Sequence, residues 1–132
     1  MRLSRSTLYE ADIPSECNSM EIPPLLLITF IENSVKHAVP PEGESLKIWI
    51  KCRMMNHNAM EIIICDNGQG FSRDVLTKIR NGEDMEEDGN HIGITNCIKR
   101  LGLLYDNNFK LLTENNKPRG AKITLRIPVN EK

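Results

Sequence analysis

Hydrophobic and polar positions change period several times along the chain, and each change marks an element. From Leu46 to Met54 they alternate, with Ile48, Ile50 and Cys52 on one side and Lys47, Trp49, Lys51 and Arg53 on the other. That is the signature of a strand buried on one face. Asn56-His57-Asn58 supplies turn-forming residues, and Met60 to Cys65 returns as an antiparallel neighbour. Upstream, Thr7 to Asp12 reads as a short strand and Ile13 to Glu21 as a polar connector. Pro23 and Pro24 then open a helix from Leu25 to Ala38, since proline suits a first turn whose N–H groups have no partner. The helix stops ahead of Pro40-Pro41 and buries a stripe of Leu27, Ile31 and Val35.

Ser72 is placed to cap a helix running to Arg80, with Gly82 as its stop. Another helix is predicted over Ile92 to Tyr105. Two last strands, Phe109 to Thr113 and Ala121 to Ile127, flank a loop from Glu114 to Gly120. Helices on one face of a mixed, mostly antiparallel sheet give an α+β fold, a two-layer α/β sandwich.

The 132 residues make one domain, and 39% hydrophobic content is enough for a single core. A net charge of -1 without a basic tract argues against nucleic acid or an anionic membrane as partner. The longest apolar run, Leu25 to Ile31, is far shorter than the ~20 residues of a membrane span. Cys17, Cys52, Cys65 and Cys97 form no C-x-x-C pair, so the sequence predicts reduced thiols in a cytoplasmic setting, with neither zinc nor disulfides.

Three segments carry candidate chemistry. On the first helix, Thr29, Asn33, Lys36 and His37 fall on one stripe, opposite the apolar one. Asn33 offers a neutral oxygen to Mg²⁺, a cation that prefers oxygen ligands, while Lys36 and His37 place charge or N–H donors one turn on. Cys65-Asp-Asn-Gly-Gln-Gly-Phe71 leaves the third strand as a glycine loop. Asp66 there can accept a hydrogen bond from the exocyclic amine of adenine, where guanine presents an acceptor instead. Gly68 and Gly70 keep side chains away from a base and ribose. Asp-Asn-Gly by itself is also a common tight turn; Gly70-Phe71 and the helix start beyond it favour the site. Last, Gly89 and Gly93 introduce a helix whose first N–H groups face an anion, the place for phosphates.

In this order the segments resemble the N, G1 and G2 boxes of the GHKL ATP-binding superfamily, and most closely the catalytic domains of LytS/YesM-like bacterial sensor histidine kinases. The resemblance runs from about Leu8 to Pro128. It implies the Bergerat fold, ATP and Mg²⁺ as cofactors, and a nucleotide site of Asn33, Lys36, His37, Asp66, Gly68, Gly70, Phe71, Gly89, Gly93, Ile94 and Asn96. Asn33, Lys36 and His37 are the implied catalytic set and Asn33 the implied metal ligand. The implied reaction is transfer of the γ-phosphoryl of Mg·ATP to a histidine on a separate phosphoacceptor and dimerisation segment, with a response regulator downstream. Residues 1–132 are then the catalytic domain alone, the cytoplasmic part of a membrane-anchored sensor, making no membrane contact itself. An anti-sigma-type serine kinase and a non-catalytic nucleotide-binding module of the same fold are the alternatives.

The chain departs from the family pattern at three places. Thr29 stands where the hydrolytic branches place a Glu and many histidine kinases an Asn, and a threonine is no general base at neutral pH. His91 replaces the glycine usual before Ile-Gly, and reads more simply as a solvent-exposed loop histidine. Ala121 follows Gly120 where the family often has a threonine whose hydroxyl helps hold the adenine-binding Asp. Arg100 matches a family position but also suits a bracing salt bridge. The acidic run Glu83, Asp84, Glu86, Glu87 and Asp88 would cross the phosphates as a lid, where repulsion from a triphosphate turns the side chains to solvent or keeps the lid open; a solvated loop is the simpler reading.

Overall fold

A computed structural model describes residues 7–13, 30–32, 38–56, 58–81, 92–106, 108–117 and 119–128; for Thr7, Asn56 and residues 92–96 it describes the backbone alone. Strands β1 (Thr7–Asp12), β2 (Leu46–Asn56), β3 (Ala59–Asp66), β4 (Lys110–Asn115) and β5 (Ala121–Pro128) form one sheet in the order β1-β2-β3-β5-β4. β1 runs parallel to β2, and every other neighbour is antiparallel. This is the mixed, mostly antiparallel sheet read from the sequence.

The alternation of β2 is realised: Ile48 and Cys52 are buried, Ile50 is half-buried, and Lys47, Trp49, Lys51 and Arg53 lie outward. β3 adds Met60, Ile62 and Ile64 to the inner face and β5 adds Ile123, Leu125 and Ile127. Helices α1 (Arg73–Asn81) and α2 (Ile92–Tyr105) cover that face with Ile79, Cys97 and Leu101, and Phe71 and Phe30 complete the core. Phe30, Ile31 and Glu32 are helical, as predicted for the first helix, but Phe30 is fully buried and Ile31 only partly. Leu27, Val35 and Gly82 lie outside the described residues.

Ser72 caps α1, its Oγ accepting the N–H of Val75 at 3.1 Å, which satisfies one of the orphan donors of a helix start. Four strands outrun their predicted ends, β5 by one residue at Pro128. β2 continues past Met54 to Asn56 through an irregular register, β3 reaches Asp66, and β4 covers Lys110–Asn115. Glu114 and Asn115 are therefore ladder residues, paired with Lys122 and Ala121, and not loop.

Across the outer face, Arg53, Glu61 and Arg126 stand in one row of β2, β3 and β5. Glu61 is buried beneath the two arginines, which donate to separate oxygens, Arg53 Nε to Oε1 at 2.7 Å and Arg126 Nε to Oε2 at 2.9 Å. The Arg53 hydrogen bond holds its carboxyl below the ordinary glutamate value of 4.5; burial acts against it and the Arg126 bond with it.

Candidate functional site

The last residue of β3 places the candidate base-recognising group. Even-numbered residues of β3 point to the core, so Asp66 ends the row Met60, Ile62, Ile64 on the inner face. It is 3% exposed. A buried carboxylate needs donors, and two backbone groups supply them: Gly68 N–H reaches Oδ1 at 2.8 Å and Ala121 N–H reaches the same oxygen at 3.1 Å. The second bond bears on the Gly120-Ala121 departure, because the main chain of residue 121 holds Asp66 without a threonine hydroxyl.

The approach of β5 to this carboxylate requires Gly120. Its φ is +114°, and a Cβ there would lie 1.9 Å from the carbonyl oxygen of Asp66, closer than any non-bonded atoms can come. The spaces beside Gly68 and Gly70 are also filled by protein: a Cβ at Gly68 would meet Ala38 Cβ at 2.6 Å, and one at Gly70 the Asn115 Oδ1 at 2.7 Å.

Side-chain bonds to distant segments fix the remainder of the loop. Asn115 accepts the N–H of Phe71 at 2.7 Å and donates to the Phe71 carbonyl at 2.9 Å, so one amide replaces a strand partner for that residue. Asn67 ties the loop to the start of β2, accepting Lys47 N–H at 2.8 Å and donating to the Ser45 carbonyl at 3.0 Å. Gln69 accepts the N–H of Val39 at 2.7 Å. Arg119 donates from Nε to the Gly68 carbonyl and from Nη2 to the Val39 carbonyl, each at 2.8 Å. The loop after β3 is thereby attached to the β4–β5 hairpin, to β2 and to Val39.

Of the residues predicted for the site, the structure brings Asp66, Gly68, Gly70 and Phe71 together on this loop. Asn33, Lys36, His37 and Gly89 lie outside the described residues, as do Thr29, His91 and the acidic run 83–88. Gly93, Ile94 and Asn96 fall in the N-terminal part of α2, where the backbone alone is described. Sequence reasoning gave no role to Asn67, Gln69, Asn115 or Arg119. Asn115 and Arg119 sat in a predicted loop, and their partners are 44 to 80 residues away, so no local pattern signals them.

Asp66 is thus a buried acceptor held on one oxygen by two main-chain N–H groups, at the start of a loop tied to three other segments. Among the described residues, no group of three or more His, Cys, Asp or Glu side chains is placed to hold a metal ion. No helix among them is long and apolar enough to cross a membrane.

Residues 24–131 match the model of the family described as histidine kinase-, DNA gyrase B-, and HSP90-like ATPase. Over 122 residues the chain is 25% identical to the sensor protein LytS of Bacillus subtilis, covering 92% of this chain and 20% of that protein. It is 27% identical over 116 residues to the sensor protein kinase HptS of Staphylococcus aureus, covering 87% of this chain and 22% of that protein. The chain thus spans about one fifth of the length of these relatives. Among solved structures, the catalytic domain of the histidine kinase ThkA superposes with a TM-score of 0.67 at 20% identity, over 92% of this chain and 80% of that one. The mycobacterial sensor histidine kinase MprB gives 0.64 at 14% identity, over 96% and 84%.

Proposed function

Because this chain belongs to the histidine kinase-, DNA gyrase B- and HSP90-like ATPase family, we propose that it holds Mg·ATP for phosphoryl transfer to a histidine on a separate acceptor segment. Family membership implies ATP as the nucleotide. The observation that carries the assignment of the base site is the buried Asp66 carboxylate with two backbone donors on Oδ1.

In this reading the carboxylate of Asp66 accepts from the adenine amine, and the bonds from Gly68 and Ala121 fix its orientation before the base arrives. Holding an acceptor in place in advance removes the entropy of ordering it on binding. Asn33 would hold Mg²⁺, and Lys36 and His37 would supply donors to the phosphates. The N-terminal part of α2, with Gly93, Ile94 and Asn96, would present main-chain N–H groups to the same anion. Mg²⁺, when bound, would neutralise charge on the phosphates.

The chemistry left to the protein is positioning. A ring nitrogen of the acceptor histidine attacks the γ-phosphorus, the P–N bond forms as the bond to the bridging oxygen breaks, and ADP departs. Thr29 supplies no general base to activate water, which disfavours hydrolysis and favours transfer to an imidazole. The acceptor segment belongs to the same sensor, a response regulator takes the phosphoryl group afterwards, and the domain works in the cytoplasm below a membrane anchor.

Incubation with γ-labelled ATP tests this reading, with the chain alone and with the cognate acceptor segment. The expected result is no label and negligible phosphate release alone, and label on a histidine of the segment when it is added. Steady phosphate release by the lone chain, or label on its own His37, His57 or His91, would overturn it.

A further inference from the structure

The outer face of the sheet, turned away from the inner face that ends in Asp66, carries a groove of about 700 Å³. Strand register sets its walls. Glu10, Trp49, Cys65 and Lys122 form one row across β1, β2, β3 and β5, and Asp12, Lys51, Ile63 and Thr124 form another. Residues paired across strands share a face. The groove therefore has an acidic edge on β1, an apolar centre of Trp49, Ile63 and Cys65, and a basic edge at Lys122, continued by Lys117 in the turn between β4 and β5. Trp49 is 36% exposed, a large apolar surface left in water. Among the described residues, none of Glu10, Asp12, Lys51, Lys117 and Lys122 forms an ion pair.

We propose that this face binds a second copy of the chain, sheet against sheet. A two-fold axis parallel to the strands, between β2 and β3, exchanges β1 with β5 and β2 with β3 and leaves each row opposite itself. Glu10 then stands over Lys122 of the second copy and Trp49 over its Cys65, while Asp12 and Lys117 extend the charged contacts at the two edges. Each contact occurs twice, as a self-complementary interface requires. A uniformly anionic partner would meet like charge at Glu10 and Asp12, and a cationic one at Lys117 and Lys122; the acidic and basic edges complement each other. Glu114 lies one strand beyond Lys122, outside the overlap, and Lys51 pairs with the last residue of β1 and stays at the rim.

Sheets packed face to face lie ~10 Å apart, a gap that side chains from both faces fill. Four strands over the six residues of β1 overlap across roughly 19 by 20 Å, about 400 Å² from each copy. That is about half of one side of a standard interface, so the dimer is weak, with a dissociation constant on the order of 0.1 mM. Asp66 faces the other way, and the pairing leaves it uncovered in both copies.

Sedimentation velocity from about 10 µM to 1 mM chain, with Trp49 emission read over the same series, measures the association. Trp49 is the one tryptophan of the chain, and its emission should move to the blue as it leaves water. Two charge-reversed chains are compared with wild type, one carrying Glu10→Lys and Asp12→Lys, the other Lys117→Glu and Lys122→Glu. Each alone should associate at least about tenfold more weakly, because like charges meet at both edges. An equimolar mixture should return to within about threefold of wild type, because reversed acids then face reversed lysines. Thermal melting establishes that each variant is folded, and if Lys122→Glu is not, Lys117→Glu alone serves for the basic edge. A wild-type chain that stays monomeric to about 1 mM would overturn the proposal and leave the groove to a partner of another sequence. Reversed chains that associate like wild type, or a mixture no better than its components, would also overturn it.

Discussion

Replacing Glu61 by Gln should destabilise the sheet without weakening nucleotide binding. The substitution keeps the shape of the side chain and removes its charge, leaving Arg53 and Arg126 facing an amide. The side chain of Glu61 is 4% exposed, whereas those of Arg53 and Arg126 are 62% and 36% exposed. A fully desolvated pair costs about 3–5 kcal/mol to break, and an exposed pair is worth at most about 1 kcal/mol. With the carboxylate buried and the arginines partly in water, the two bonds at 2.7 and 2.9 Å place the loss at about 1–3 kcal/mol.

The same pair predicts a pH dependence. The carboxyl of Glu61 lies below 4.5 in the folded protein, so its contribution is fully present above the unfolded value and disappears as pH falls through the lower folded one. The gap between wild type and Glu61→Gln, measured by urea denaturation from neutral pH to about pH 3, should therefore be widest near neutrality and narrow below 4.5. Because Glu61 lies on the outer face and Asp66 on the inner one, ATP affinity should be the same in both proteins at neutral pH. Equal stability of the two proteins at pH 7, or a gap that widens on acidification, would refute the account of this triad.

Asn115→Ala removes both bonds to Phe71 and should cost about 1–2 kcal/mol in urea denaturation together with a measurable loss of ATP affinity; loss of neither would show that the clamp holds nothing. Gly120→Ala places a Cβ at 1.9 Å from the Asp66 carbonyl and should lower stability by more than 3 kcal/mol or abolish folding, on the order of the strain and overpacking terms combined; near-wild-type melting would contradict the packing described. Asn33→Ala should remove the Mg²⁺ dependence of ATP binding while leaving the nucleotide-free melting temperature unchanged, and a large fall in that temperature would mark Asn33 as structural.

The periodic parts of the sequence carried the fold well, and the reason is visible in β2 and α2. Lys47 to Arg53 alternates because one face is core and the other water, and α2 occupies the residues its periodicity marks. The errors fall where pairing overrides local composition. Glu114 and Asn115 look like loop residues, yet β5 draws them into the ladder. Glu61 is a glutamate on an outer face, and only its two cross-strand arginines make its burial possible. At the site, Asp66 and its glycines were legible because a carboxylate and a glycine loop at a strand end are contiguous. The groups that hold them were not, because Asn115 and Arg119 act across 44 to 80 residues through contacts that only the folded sheet creates. At Ala121 the side chain departs from the family pattern while the main-chain N–H bonds Asp66.

Titration calorimetry of the purified chain with ATP and with GTP, in Mg²⁺, for wild type and Asp66→Asn, tests the central claim most directly. The wild-type protein should prefer ATP, because the Asp66 carboxylate accepts from the adenine amine and guanine offers an acceptor in its place. Asp66→Asn should lose about 1.5–3 kcal/mol of ATP affinity with the charge-assisted bond, and with it most of the preference. Equal affinity of the wild-type protein for ATP and GTP, or an unchanged preference in Asp66→Asn, would contradict the assignment of Asp66 as the base-recognising residue.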